Sequence, residues 1–177
     1  LIWSRHYSYY HGWFSSMATN NVIVGGVNYW NGSDEQHNCF VLDSLTGKLL
    51  RKIGYGRQTG KFSVWSTIKD EVFYVCPVIG FPKCISISKD EVIWECESVR
   101  SMERNPIICG RTMIVNGLDN SLHGIDVKTG NKSWSIKVPV KPKNVFPHRN
   151  RLYGSGAEDP KKGRCVVFCV ASVGEER

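Results

Sequence analysis

The chain has 177 residues, enough for one ordinary domain and short of two generous ones. An apolar fraction of 41% and a charged fraction of 22% exclude a disordered tail or a fibre. No apolar run approaches the length of a transmembrane helix, so no membrane span is expected. The net charge of +7 favours acidic partners over basic ones.

The first residues, Leu1-Ile2-Trp3, read as a short strand. Arg5 and the polar residues after it are unlike a signal peptide. From there the chain repeats itself. The first unit, 11–54, carries the polar turn Thr19-Asn20-Asn21, a β-rich run to Gly25-Gly26, and the turn Leu42-Asp43-Ser44-Leu45-Thr46-Gly47-Lys48. The second, 61–98, has Lys69-Asp70-Glu71, the run Val72-Phe73-Tyr74-Val75, and a turn at Ser86-Ile87-Ser88-Lys89-Asp90. The third, 102–138, has Gly110-Arg111, the run Thr112 to Gly117, and Ile125-Asp126-Val127-Lys128-Thr129-Gly130-Asn131. The fourth, 143–177 completed by 1–7, has His148-Arg149-Asn150, the run Arg151 to Gly156, and a turn ending at Gly174.

The two best turns share the pattern apolar-Asp-x-x-Thr-Gly. An Asp side chain bonds backbone N–H groups two residues on, and Gly supplies the positive φ of a tight turn. Asp90 takes the Gly position in the second unit, which Asp tolerates. The turn positions 47, 90, 130 and 174 are 43, 40 and 44 residues apart. Each unit therefore reads as four short antiparallel strands, the content of one propeller blade. No stretch of helical length shows a 3.6-residue period. Trp94 and Trp134 follow their turn positions by four residues and are expected to close the seams between blades, whereas Arg51 fills that slot in the first unit. The prediction is an all-β, single-domain, small propeller of about four blades with four strands each. Leu1-Ile2-Trp3 would supply the outer strand of the last blade and remove an open sheet edge. The other reading is a segment or half of a larger propeller.

Seven cysteines at irregular spacings include no CxxC, so no zinc ribbon is expected. Most lie among Val, Ile and Phe and read as buried thiols packing as small hydrophobes. Unpaired thiols and the absence of a signal peptide favour a reducing, cytoplasmic compartment.

Apolar-Asp-x-x-Thr-Gly-x-x-x-Trp, after a strand ending in Gly, resembles the pyrroloquinoline-quinone-like propeller repeat. The resemblance is strongest from Ile125 to Trp134 and spans nearly the whole chain. That repeat occurs in quinoprotein alcohol dehydrogenases, in an outer-membrane assembly lipoprotein and in many non-enzymatic propellers. Family members usually have more blades, which implies a small propeller, a fragment, or a half that pairs with a second copy. The enzymes of the family have a vicinal Cys-Cys pair, a stacking Trp and calcium ligands. No Cys-Cys dipeptide occurs here, and Asp34, Glu35, Asp119, Glu158 and Asp159 show no calcium-loop spacing. The chain is thus expected to be non-enzymatic and to hold no cofactor. His6, His11, His37, His123 and His148 lack metal-binding spacing, so no metal is expected.

Propeller ligands meet loops that converge on the central funnel. The innermost strands are expected to begin near His11, Lys61, Arg104 and Lys143, with Trp13 and Asn105 beside them. A mostly cationic ring suits an anionic ligand or an acidic loop of a protein. The insertion 28–38 adds Tyr29 and Trp30, aromatics of the type that anchor partners. A second, Lys-rich insertion, Ala157 to Gly163, reads as a mobile loop. The leading expectation is a scaffold that binds a protein or an anionic ligand through funnel and top-face loops. The alternatives are a fragment of a quinoprotein-like oxidoreductase and a carbohydrate-binding propeller using Trp13, Trp30 and Trp65. Nucleic acid is not favoured, because Phe146 and Tyr153 in the densest basic stretch sit where strand core residues would. A homodimer would satisfy the same edge-pairing need as a closed monomer.

Overall fold

The computed structural model describes residues 4, 16–19, 22–26, 39–53, 64–69, 71–77, 81–89, 91–101 and 104–171. They form four antiparallel sheets, each built from strands consecutive in the chain. The first sheet holds β1 (Ser16–Thr19), β2 (Val22–Gly26), β3 (Cys39–Asp43) and β4 (Leu49–Ile53). The second holds β5 (Val64–Lys69), β6 (Val72–Pro77), β7 (Lys83–Ser86) and β8 (Glu91–Glu95). The third holds β9 (Ile107–Cys109), β10 (Thr112–Asn116), β11 (Ser121–Asp126) and β12 (Lys132–Lys137). The fourth holds β13 (Asn144–His148), β14 (Arg151–Asp159) and β15 (Arg164–Ala171). These are the blades of a small β-propeller. The last has three strands rather than four among the described residues. Leu1-Ile2-Trp3, expected to complete it, lies outside them.

The turns between third and fourth strands explain why the repeat folds as it does. Asp43 Oδ1 accepts from the N–H groups of Leu45 (3.0 Å) and Thr46 (2.7 Å) and from Thr46 Oγ1 (2.8 Å). Asp126 Oδ1 accepts from Lys128 N (2.9 Å), Thr129 N (2.9 Å) and Thr129 Oγ1 (3.2 Å). Gly47 and Gly130 then turn the chain with φ of 66° and 75°, a conformation that glycine adopts without steric cost. Both carboxyls are held below the usual carboxylate range, first by the threonine N–H they accept from. In the second sheet Ser86 occupies the Asp position, and its Oγ accepts from Lys89 N at 3.2 Å. Asp90 lies outside the described residues.

The core lies between blades. Tyr74, Cys76, Cys84 and Trp94 of the second sheet pack against Met113, Val115 and Ile125 of the third. Ile114 and Leu122, on the other face of the third sheet, pack against Val145, Leu152 and Phe168 of the fourth. Trp94 closes its seam as expected: its Nε1 donates to the carbonyl of Val127 at 2.9 Å. A Cβ on Gly130 would fall 2.7 Å from the indole, so only a glycine leaves room for it. Arg51 performs the same task between the first and second sheets. Its guanidinium donates to the carbonyls of Ile87 and Ser88, and Ile87 stands in its turn where Val127 stands in the next.

Three expectations change. Cys76, Cys84 and Cys96 are buried, but Cys109, Cys165 and Cys169 are exposed. Phe146 and Tyr153, read as core, are also exposed. The reason is common to four of these five: Cys165, Cys169, Phe146 and Tyr153 lie on the face of the fourth sheet opposite the one packed on the third, and among the described residues no sheet covers it. The segment from Ala157 to Gly163, read as a mobile loop, is instead structured. β14 continues to Asp159, whose Oδ1 caps a single 3-10 turn by accepting from Lys161 N and Lys162 N at 3.1 and 3.3 Å.

Candidate functional site: the cationic rim

The ends of the sheets opposite the Asp turns bring together the segments that lead into the innermost strands. Residues 100–101 run beside the β10–β11 loop: the Leu118 N–H donates to Arg100 O at 3.3 Å, and Ser101 pairs with Gly117. Arg104 follows, three residues before β9. Its Nε donates to the backbone carbonyl of Lys143 at 2.9 Å, linking the entrances of the third and fourth blades. The Lys143 N–H in turn donates to Ser155 O at 2.8 Å, which fixes that entrance on β14. The buried Asn116 side chain donates to Pro142 O at 3.1 Å, one residue before Lys143.

Arg104 and Lys143 are therefore neighbours, as the alignment of strand starts suggests, and the Lys143 side chain is exposed to solvent. Arg104 is partly committed to holding the carbonyl of Lys143. Asn105 is exposed beside Arg104. His11, Trp13, Lys61, Tyr29 and Trp30 lie outside the described residues, so the rim is described over its third and fourth blades.

Sequence reasoning did not group a second set of charged residues on the same end of the third blade. Lys137 Nζ donates to Asp119 Oδ2 at 2.8 Å and to its carbonyl at 2.6 Å. His123 Nε2 lies 3.7 Å from Asp119 Oδ1. The ammonium of Lys137, hydrogen-bonded to it, holds the Asp119 carboxyl down to about 2. His123 is buried, and its Nδ1 has no partner among the described residues. The i, i+4 spacing of Asp119 and His123 across a tight β-hairpin was the available signal.

Burial holds the His123 imidazole below its ordinary value of 6.5; Asp119 opposes this and Lys132 and Lys137 add to it. The unfolded chain then binds a proton that the folded chain resists. The stabilisation is complete above about pH 6.5 and is lost as the pH falls below it, towards the folded-state value. Asp119 stays ionised throughout that range, so the histidine accounts for the change. Melting temperatures should fall as the pH is lowered from about 7 to 5. His123→Gln should flatten that slope; an equally steep slope in the variant would place its origin elsewhere.

Among the described residues no three His, Cys, Asp or Glu side chains converge as a metal site. Burial pushes the Cys84 thiol up to about 12, and Cys76 still higher. These two are packing groups rather than thiolate nucleophiles.

No family model and no curated protein matches the sequence. Solved structures match its fold. The computationally designed Ika4 protein is 17% identical, with a TM-score of 0.70 over 92% of this chain and 93% of that one. The designed Ika8 protein is 18% identical, TM-score 0.64, over 88% of this chain and only 45% of its own. BamB from Moraxella catarrhalis is 13% identical, TM-score 0.59, over 86% of this chain and 60% of that one. The quinohemoprotein alcohol dehydrogenase ADHIIG from Pseudomonas putida HK5 is 14% identical, TM-score 0.57, over 79% of this chain and 27% of that one. The chain thus spans less than half of Ika8 and nearly all of Ika4. At such identities the likeness is one of fold, and the fold is a β-propeller.

Proposed function

We propose that the chain is a non-enzymatic β-propeller scaffold of the pyrroloquinoline-quinone-like type, which binds an acidic protein segment or anionic ligand at the rim of its funnel. The observation that carries this reading is the contact of Arg104 with Lys143. It holds the Arg104 guanidinium against the main chain of Lys143, a second cationic and exposed residue, where the innermost strands of successive blades begin. The net charge of +7 acts in the same sense, drawing anions toward the surface before contact. The lack of any Cys-Cys dipeptide supports the non-enzymatic part. His11, Trp13, Lys61 and Asn105 would extend the rim, and Tyr29 and Trp30 would add apolar anchors for a protein partner.

A fluorescein-labelled octaglutamate peptide is the probe. Its anisotropy should rise on titration with the chain, and the rise should weaken steeply with added salt. Lys143→Glu is the informative variant, because the contact to Arg104 uses only the backbone of Lys143. It should weaken binding at least about tenfold, the effect of roughly 1.4 kcal/mol. A flat titration of the parent chain, or a variant curve that overlays the parent's, removes this reading.

A further inference from the structure

We propose that the outward face of the fourth sheet binds single-stranded nucleic acid, with bases stacked on Phe146 and Tyr153 and phosphates held by the basic residues at the two ends of the face. This surface is separate from the rim and does not depend on the function proposed there.

Strand register builds the face. Phe146 lies across from Tyr153, and in the next row His148 lies across from Arg151. Strand alternation places these four on one side of the sheet. Val145, Leu152 and Phe168 alternate to the other side and are buried against the third sheet. On the outward side Phe146 is 64% exposed and Tyr153 36%. His148 adds a third ring, its centroid 6.5 Å from that of Tyr153. The sequence argument against nucleic acid needs Phe146 and Tyr153 in the core, and their exposure removes it.

Charge flanks the rings. From Lys143 to Ala171 the blade carries six Lys and Arg residues and two acidic ones, and so supplies four of the chain's net +7 charges. Arg149 and Arg151 stand at the turn between β13 and β14. Lys161, Lys162 and Arg164 stand at the turn between β14 and β15. These turns lie at opposite ends of the nine-residue β14, about 26 Å apart. The two acidic residues, Glu158 and Asp159, are adjacent at the second of these ends. Asp159 is already engaged, since it caps the 3-10 turn and lies 3.6 Å from Lys162 Nζ. Arg149, Arg151, Lys161 and Arg164 enter no ion pair among the described residues.

The combination selects the ligand. An acidic peptide would answer the cations but bring no planar rings to the aromatics. An apolar protein face would cover the rings and bury Arg151, on the same side, without a counter-charge. A single strand of nucleic acid carries planar bases and phosphates together and satisfies both. Aromatic side chains on adjacent strands of an open sheet face are a general platform for unstacked bases, and such stacking tolerates any sequence. Arg151 is two residues from Tyr153, about 7 Å along the strand. Its guanidinium can meet the phosphate of a nucleotide stacked on that ring. In a duplex the bases already stack on each other, so their faces are not available.

The probe is fluorescein-labelled decathymidylate, titrated with the 177-residue chain and read by anisotropy. Binding is expected, and it should weaken with added salt. Phe146→Leu keeps an apolar side chain but removes the ring. It should weaken binding at least about fivefold, whereas Phe146→Trp should retain it. Tyr153→Leu, on the next strand, gives the same reading should Phe146→Leu fail to fold. Arg151→Gln should weaken binding and flatten its dependence on salt. Where octaglutamate binds the rim, that binding should be unchanged in Phe146→Leu; loss of both together overturns the proposal, because the substitution would then act on the whole fold. No binding of decathymidylate overturns it, as do Phe146→Leu and Tyr153→Leu curves that overlay the parent's. Displacement of the probe by octaglutamate as readily as by unlabelled decathymidylate overturns it in favour of an acidic protein. Equal displacement by a duplex of the same length overturns it too, since phosphates alone would then be recognised.

Discussion

Trp94→Ala should lower stability by about 3–5 kcal/mol. In a chain of this size that is a fall in melting temperature of roughly 6–20 °C. The indole is buried on β8, with its centroid 6.2 Å from the Tyr74 ring, and it fills the space that Gly130 leaves open. Truncation empties that space and strips the carbonyl of Val127 of its donor. Trp94→Phe separates the two effects. It restores most of the apolar contact but not the hydrogen bond, and should cost about 1–2 kcal/mol. A thermal melt of the alanine variant that overlays the parent's would show that the second and third blades are not held together through this ring.

Leu122→Ala should cost about 2–5 kcal/mol, read as a lower urea midpoint. Leu122 is fully buried on β11 and packs among Val138, Val140, Val145 and Phe168. It therefore joins the third blade to the fourth and to the segment between them. The third sheet is locked on both faces, and its Gly124 already lies under the Trp134 ring. Little collapse into the vacated volume is available, which favours the upper part of the range. A loss below about 1 kcal/mol would mean that the seam relaxes around the smaller side chain.

Local chemistry made the fold legible. The Asp43 and Asp126 turns could be anticipated from six residues each, because every bond in them forms within the segment itself. Asp-x-x-Thr-Gly specifies the same acceptor, the same donors and the same left-handed residue wherever it occurs. Arg51 was harder. In sequence it breaks the Trp pattern; in space its guanidinium reaches the carbonyl equivalent to the one Trp94 uses. Two unlike side chains satisfy one carbonyl, a relation that exists only between blades.

The rim was legible in part for the same reason. Equivalent strand starts predict that Arg104 and Lys143 lie near each other. They do not predict that Arg104 spends its Nε on a backbone carbonyl. The grouping of Asp119, His123 and Lys137 was missed because Lys137 comes from the end of β12, and only the pairing of β11 with β12 brings it back to the hairpin. Phe146, Tyr153, Cys165 and Cys169 illustrate a general limit. Alternation assigns residues to a face, but whether anything covers that face depends on what lies next to the sheet.

Every sheet takes its strands in chain order, and each blade packs on its neighbours. The contacts described between sheets therefore join neighbouring units of the repeat. Folding energy is divided among single blades and the seams between adjacent ones, as in a one-dimensional array. The third blade, locked on both faces, is the natural place for such an array to nucleate, with order spreading outward one seam at a time. Damage at one seam is then confined to the two blades it joins, and the chain can tolerate variation in one unit while the others keep their form.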